Sequence, residues 1–229
     1  MESKKIAKIK KLVSSLFSHK IAYGISGSNR RKKWELFLKE MCPDETTLVL
    51  DIGFSENEYS STDNFIEKNY PYPENLTALG VDPPKEFTAR YPKVRAVQYD
   101  GSFFPFKDKE FDVCWSNAVI EHVGNRDKQL LFLNEVKRVT KRAFITTPNR
   151  FFPIEVHTRT PLLHYLPKEI FDTYLTLVGE EWATGDYMHL LSLKNLTSLL
   201  QEAEIKQYKL CKNRLAGFVL DFVVMFESD

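Results

Sequence analysis

The chain has 229 residues, 43% hydrophobic and 28% charged, and 32 basic against 31 acidic side chains leave a formal charge of +1. That balance excludes a disordered chain, and the near-neutral charge gives no global attraction to nucleic acid. Cys42, Cys114 and Cys211 form no CxxC pair, which argues against a disulfide framework or structural zinc site and leads to the expectation of a cytoplasmic protein.

In chain order, residues 1–22 place Ile6, Ile9, Leu12, Val13, Leu16, Phe17 and Ile21 at helical spacing among lysines. The pattern predicts a basic amphipathic helix, docked on the domain or lying on a membrane surface. There is no run of about 18 apolar residues that would span a bilayer, and no continuous apolar stretch of a signal peptide. "GISGSNRRKK", residues 24–33, reads as a flexible connector, so residues 1–34 are expected as an appendage to a domain over 35–229. "WELFLKEMC" resumes a helical pattern that ends at Pro43-Asp44.

Beyond it, apolar runs alternate with amphipathic stretches. "TLVLDI", "TALGVD", "RAVQYD", "FDVCWSN" and "RAFITT" predict strands, with helices at "TDNFIEKNY" and "NRDKQLLFLNEVKRVT". Near-continuous apolar strands imply a parallel sheet covered on both faces. The connection "PNRFFPIEVHTRTPLLHYLP" is long and unusually apolar. A helical stretch follows around Ile170 to Val178, then a helix in "SLKNLTSLLQEAE" with Ser192 as its cap, and finally two strands joined by a short turn. The expected fold is therefore Rossmann-like and doubly wound. It has a mostly parallel seven-stranded sheet ending in an antiparallel hairpin, and helices on both faces.

In such a sheet ligands bind beyond the carboxyl ends of the strands. The first three predicted strands end in Asp51-Ile52-Gly53, Asp82-Pro83-Pro84 and Asp100-Gly101-Ser102. The fourth ends in Ser116-Asn117-Ala118, followed by Glu121-His122, and the fifth in Thr147-Pro148-Asn149. Three successive strand-end aspartates form a lip of acceptors suited to the hydroxyl and amino groups of a nucleoside.

The pattern "VLDIG … LGVD … YDGSFFPFKDKEFDVCWSNAVIEHV … ITTPN" resembles the class I S-adenosylmethionine (SAM)-dependent methyltransferases, in particular the small-molecule branch often labelled type 11. The resemblance implies that Asp51 and Gly53 shape the first turn, beside the methionine end of SAM. It implies that Asp82 accepts from the ribose hydroxyls and Asp100 from the adenine amino group. A backbone N–H of Gly101 or Ser102 would meet a ring nitrogen, Phe103 would pack nearby, and Asn117 and Ala118 would line the sulfonium end. One departure stands out. Ser55 and Asn57 occupy positions where the family usually has glycine, and 31 residues separate Asp51 from Asp82, against about 20 in the comparable dinucleotide fingerprint. The turn is expected to be rebuilt, with Ser55, Glu56 or Asn57 supplying side chains and Glu56 or Glu58 holding an ammonium group.

His122 and His157 are the candidate bases for a hydroxyl or amine acceptor. No metal ligand set is expected from the histidine spacing. Residues 148–190 would build the acceptor side, for a small molecule or a glycan or lipid-linked acceptor, with peripheral membrane contact a further expectation. A catalytically silent SAM-fold binding protein is the main alternative. A nicotinamide-dependent oxidoreductase is a third, weakened by the missing GxGxxG.

Overall fold

The structure is a computed structural model that describes residues 19–228, with side chains described from residue 27 onward. The amphipathic stretch expected over 1–22 lies largely outside the described residues. The connector expected at 24–33 is not a loop: it runs inside helix α1 (His19–Met41). Two glycines and two serines lower the intrinsic helix preference of that stretch. Packing of the following turns overrides it. Trp34 stacks on Phe37 at 5.4 Å, and Phe37, fully buried, meets Trp115 at 5.1 Å and Phe144 at 5.5 Å edge to face.

The strands are β1 (Val49–Ile52), β2 (Leu76–Gly80), β3 (Arg95–Gln98), β4 (Phe111–Asn117), β5 (Thr140–Pro148), β6 (Tyr208–Leu215) and β7 (Phe218–Glu227). They form one sheet in the order β3-β2-β1-β4-β5-β7-β6. The first five are parallel, and β7 pairs antiparallel with both β5 and β6. The predicted fold class is thus the observed one. β1 and β2 are buried along their whole length, which accounts for their unbroken apolar sequence. The edge strand β6 alternates and carries Lys209, Lys212 and Arg214, charges that discourage pairing with another chain.

Helices α2 (Phe65–Asn69), α3 (Lys85–Arg90), α4 (Arg126–Val139), α5 (Lys168–Val178) and α6 (Leu193–Glu202) complete the fold. Asn125 caps α4 by accepting from Lys128 N, and Ser192 caps α6 by accepting from Asn195 N. One face of the sheet packs Leu50, Ile52 and Ile145 against Phe132, Leu133 and Val136 of α4 and Leu196 and Leu199 of α6. The other packs Val49, Trp115 and Phe144 against Phe37, Ile66 and Phe87 from α1, α2 and α3. The segment between β5 and α6 folds around a small core of its own, Phe171, Leu175, Ala183 and Met188. Among the described residues no helix is long and apolar enough to cross a membrane.

The aromatic seat of α1 is testable. Phe37→Ala should lower unfolding free energy by about 3–5 kcal/mol, read as a shifted urea midpoint. Phe151→Ala, at an exposed position, should stay within about 0.5 kcal/mol of the parent.

Candidate functional site

The reversal of strand order between β1 and β4 opens the crevice where ligands bind in this topology. On its β1 side Gly53 has a φ of +100°, and a Cβ there would stand 2.5 Å from Val119 Cγ2. Both facts require glycine. The next residue, Phe54, lies flat on β2, where a Cβ on Gly80 would meet its ring at 2.6 Å.

In the glycine-poor turn the backbone is bonded by a protein side chain. Ser55 N donates to Asn64 Oδ1, and Asn64 Nδ2 donates back to Ser55 O, both at 2.8 Å. Asn64 sits in the left-handed region, at φ +47°. Glu56 accepts from the backbone N–H of Glu86 at 2.6 Å and of Phe87 at 3.0 Å, so its carboxylate caps the start of α3. Glu58 is held by Tyr91 Oη, Asn64 Nδ2 and Lys68 Nζ. The expectation that Glu56 or Glu58 holds a ligand ammonium is corrected accordingly, because both carboxylates are committed to the fold.

Asp51 points to the α1–α2 face and is buried, beside the buried carboxyl of Glu67. Burial and the charge of Glu67 push Asp51 well above the usual carboxylate range, and burial raises Glu67 as well, so the pair keeps a proton. Arg30 of α1 supplies the nearest positive charge to Asp51 and donates to Thr62 O. A second cation of α1, Lys33, lies buried 3.0 Å from Asp221 Oδ2 and donates to Asn117 Oδ1 at 3.2 Å and Thr146 Oγ1 at 3.3 Å. These two cations come from the stretch read as a connector, and only their docked helix reveals them.

Asp82, beyond β2, is exposed and makes no hydrogen bond or ion pair among the described residues. Asp100, beyond the neighbouring β3, accepts from Ser102 N at 2.9 Å through Oδ1. That bond uses the Ser102 donor and leaves Gly101 N and Asp100 Oδ2 facing outward. Phe103 is 69% exposed. Asn117 is tied to Lys33 and Thr146, while Ala118 takes a φ of +60° and donates to Thr146 O.

The two candidate histidines meet, although 35 residues separate them in sequence. His122 Nε2 and His157 Nε2 are 3.1 Å apart, with ring centroids at 4.7 Å. His157 Nδ1 lies 2.7 Å from Glu155 Oε1, and His122 Nδ1 lies 3.1 Å from Tyr187 O. Burial alone would lower His157, but the hydrogen bond and charge of Glu155, with the charge of Glu121, raise it. His122 is lowered, chiefly by burial. Glu155, despite burial, is held down at about 2 by His157 and by the backbone donors of His157 and Thr158. Fully buried Glu121 accepts from Thr147 Oγ1 at 2.9 Å and lies 3.9 Å from His157 Nε2. Glu121, His122 and His157 each offer a ligand atom, all within 4.8 Å of one another. Histidine spacing hid this cluster, and Glu155, two residues before His157, was missed. Tyr187 joins the two halves of the crevice: the charges of both Asp82 and Glu121 act on its hydroxyl, and its ring lies 5.0 Å from His122.

The sequence profile of a family described as "Methyltransferase domain" matches residues 62–143, which begin just after the glycine-poor turn and include the strand ends of β2 to β4. Among solved structures, a SAM-dependent methyltransferase of Methanosarcina mazei superposes with a TM-score of 0.51 at 20% identity, covering 81% of this chain and 94% of that one. Geranyl diphosphate C-methyltransferase of Streptomyces coelicolor gives 0.57 at 9% identity, over 92% and 83%. The 1,6-didemethyltoxoflavin N1-methyltransferase of Burkholderia thailandensis gives 0.54 at 14%, over 99% and 89%. No curated protein sequence matches. The class defined here is the Rossmann-like seven-stranded fold of SAM-dependent methyltransferases. The chain shares that fold, and the methyltransferase profile matches its stretch 62–143.

The carboxyl pair behind the first turn makes a pH prediction. Its folded pKa values are raised, so its contribution to stability is greatest at low pH and is lost as pH rises through them. Glu67→Gln removes the charge to be lost and offers Asp51 a donor. Its melting temperature should rise relative to the parent by about 2–4 °C per kcal/mol gained, with the gain widening from about pH 5 to about pH 9. A gain that shrinks with rising pH would refute the retained proton.

Proposed function

We propose that the protein is a SAM-dependent methyltransferase acting on an oxygen or nitrogen of a small-molecule or saccharide-type acceptor. The observation that carries this reading is the unengaged carboxylate of Asp82 beside that of Asp100, on adjacent strand ends next to a turn that admits only glycine at position 53. A ribose diol suits Asp82. An adenine edge suits Asp100 Oδ2 with Gly101 N, and Phe103 offers an exposed ring to the purine face.

The amino-acid end of the coenzyme would lie at the first turn. Arg30 stands there for a carboxylate, in place of the missing nest of backbone amides. Asn117 and Ala118 would line the sulfonium end. Bound there, the coenzyme supplies an electrophilic methyl group. The chain's own residues align the acceptor for in-line attack and take up its proton. His122 and His157, fixed by Tyr187 O and Glu155, are placed for that second task, and Tyr187 and Trp182, whose rings are 5.6 Å apart, offer an aromatic wall for the acceptor.

Thermal unfolding with S-adenosylhomocysteine tests the coenzyme site. At about a hundredfold excess over its dissociation constant the ligand should add roughly 2.7 kcal/mol, or about 5–10 °C, and Asp82→Ala should abolish the shift. NADH should give none. Absence of a shift at millimolar ligand would sink the proposal. With an accepted substrate, His122→Gln should lower kcat by about 10²–10⁴-fold while the S-adenosylhomocysteine shift persists. Ligand binding without turnover across an acceptor screen would favour the silent binding protein.

A further inference from the structure

His122 and His157 each turn one ring nitrogen toward a group that can only accept. Their Nδ1 atoms face the Tyr187 carbonyl and the Glu155 carboxylate, at 3.1 and 2.7 Å. Both Nδ1 atoms therefore carry the proton, and in neutral rings both Nε2 atoms present lone pairs. The two nitrogens lie 3.1 Å apart. A third acceptor joins them: Glu121 Oε1 lies 3.9 Å from His157 Nε2 and has no hydrogen-bond partner, although the residue is fully buried. With both rings neutral, three acceptors converge with no donor among them. Such an arrangement calls for a cation.

We infer that Glu121, His122 and His157 bind a divalent transition-metal ion of the zinc class. The three ligand atoms lie within 4.8 Å of one another, so the carboxylate must draw in toward the two nitrogens for all three to share an ion with bonds of about 2.0–2.1 Å. Two nitrogens on a tetrahedral ion with such bonds stand about 3.3 Å apart, near the separation seen here. Two imidazoles and one carboxylate suit zinc rather than calcium or magnesium, which prefer oxygen throughout. The surroundings are those of a ligating histidine as well: Glu155 holds the far N–H of His157, and Thr147 Oγ1 binds Glu121 Oε2 and leaves Oε1 for the ion. Three protein ligands leave a fourth position, at which an acceptor hydroxyl or a water would lose its proton more readily. In that case the imidazoles act through the ion instead of taking the proton themselves. The metal site stands on its own geometry; only what it activates rests on the function proposed above.

The test uses the full-length protein, stripped with a chelator and titrated with Co²⁺, whose visible absorption reports coordination. One equivalent should bind with the spectrum of a four-coordinate nitrogen and oxygen site, and Zn²⁺ should displace it. Glu121→Gln and His122→Gln should each weaken binding by about a hundredfold or more, and Glu155→Gln, which positions His157, by about 10–100-fold. Cys42→Ser, at an exposed thiol, should change nothing. Absence of a cobalt spectrum at millimolar ion, or binding that survives both ligand substitutions, overturns the inference. The wild-type titration decides it even if a variant fails to fold. S-adenosylhomocysteine binding measured in chelator separates the two readings. A thermal shift with no metal uptake removes the metal site alone, and metal uptake with no shift removes the coenzyme reading alone.

Discussion

Phe37 seated between Trp115 and Phe144 is the contact on which the rest of the crevice depends. Trp115 and Phe144 stack almost parallel, at 5.2 Å and 7°, across the neighbouring strands β4 and β5. They present a flat apolar platform at the centre of the sheet, and α1 reaches it through one ring. Large buried aromatics dominate such packing energies. Once α1 is held there, helical geometry leaves no freedom in where Lys33 and Arg30 go. Lys33 falls between Asn117, Thr146 and Asp221, and Arg30 falls between Asp63 and Asp51.

Around this seat the chain distributes a set of buried acids, each with its own means of neutralisation. Asp221 has Lys33, with Asn29 and Asn213 as further donors. Asp51 and Glu67 are both raised above the usual carboxylate range, chiefly by burial. Glu155 has His157 and two backbone donors, and Glu135 has Arg138 and Phe104 N. Buried carboxylates are costly unless paired in this way. Glu121 departs from the pattern, because one of its oxygens is served and the other faces two imidazoles. That asymmetry marks the end of β4 as a place built for something other than stability.

Where a feature depended on local pattern, it could be read in advance. The unbroken apolar runs of β1 and β2 and the Ser192 cap arise from residues adjacent in sequence. So did the strand-end positions of Asp82 and Asp100, because a strand's carboxyl end is fixed by its own length. Features made by distant partners could not be read. Gly24, Gly27 and the serines near them speak against a helix, and only the docking of Trp34 and Phe37 reverses that preference. The short helix α3 comes after Pro83-Pro84 and is capped by Glu56, 30 residues earlier, so no local signal announces it. Glu121, His122 and His157 form one centre only after the chain has passed through α4 and β5, 35 residues on. The adjacent pair Glu121-His122 and the Glu155-Val156-His157 spacing were the local hints.

The bond from Glu56 to the start of α3 also bears on how the crevice meets a ligand. Glycine-rich turns are mobile and must be ordered when something binds, at a cost in entropy. Here the first turn is clamped from both ends, by Asn64 on Ser55 and by Glu56 on the helix just beyond Asp82. The ends of β1 and β2 are thereby joined into one stiff lip. The ordering is completed during folding, so a ligand arriving along these strand ends meets a preorganised surface. What the turn gives up in plasticity it returns as selectivity for one ligand shape.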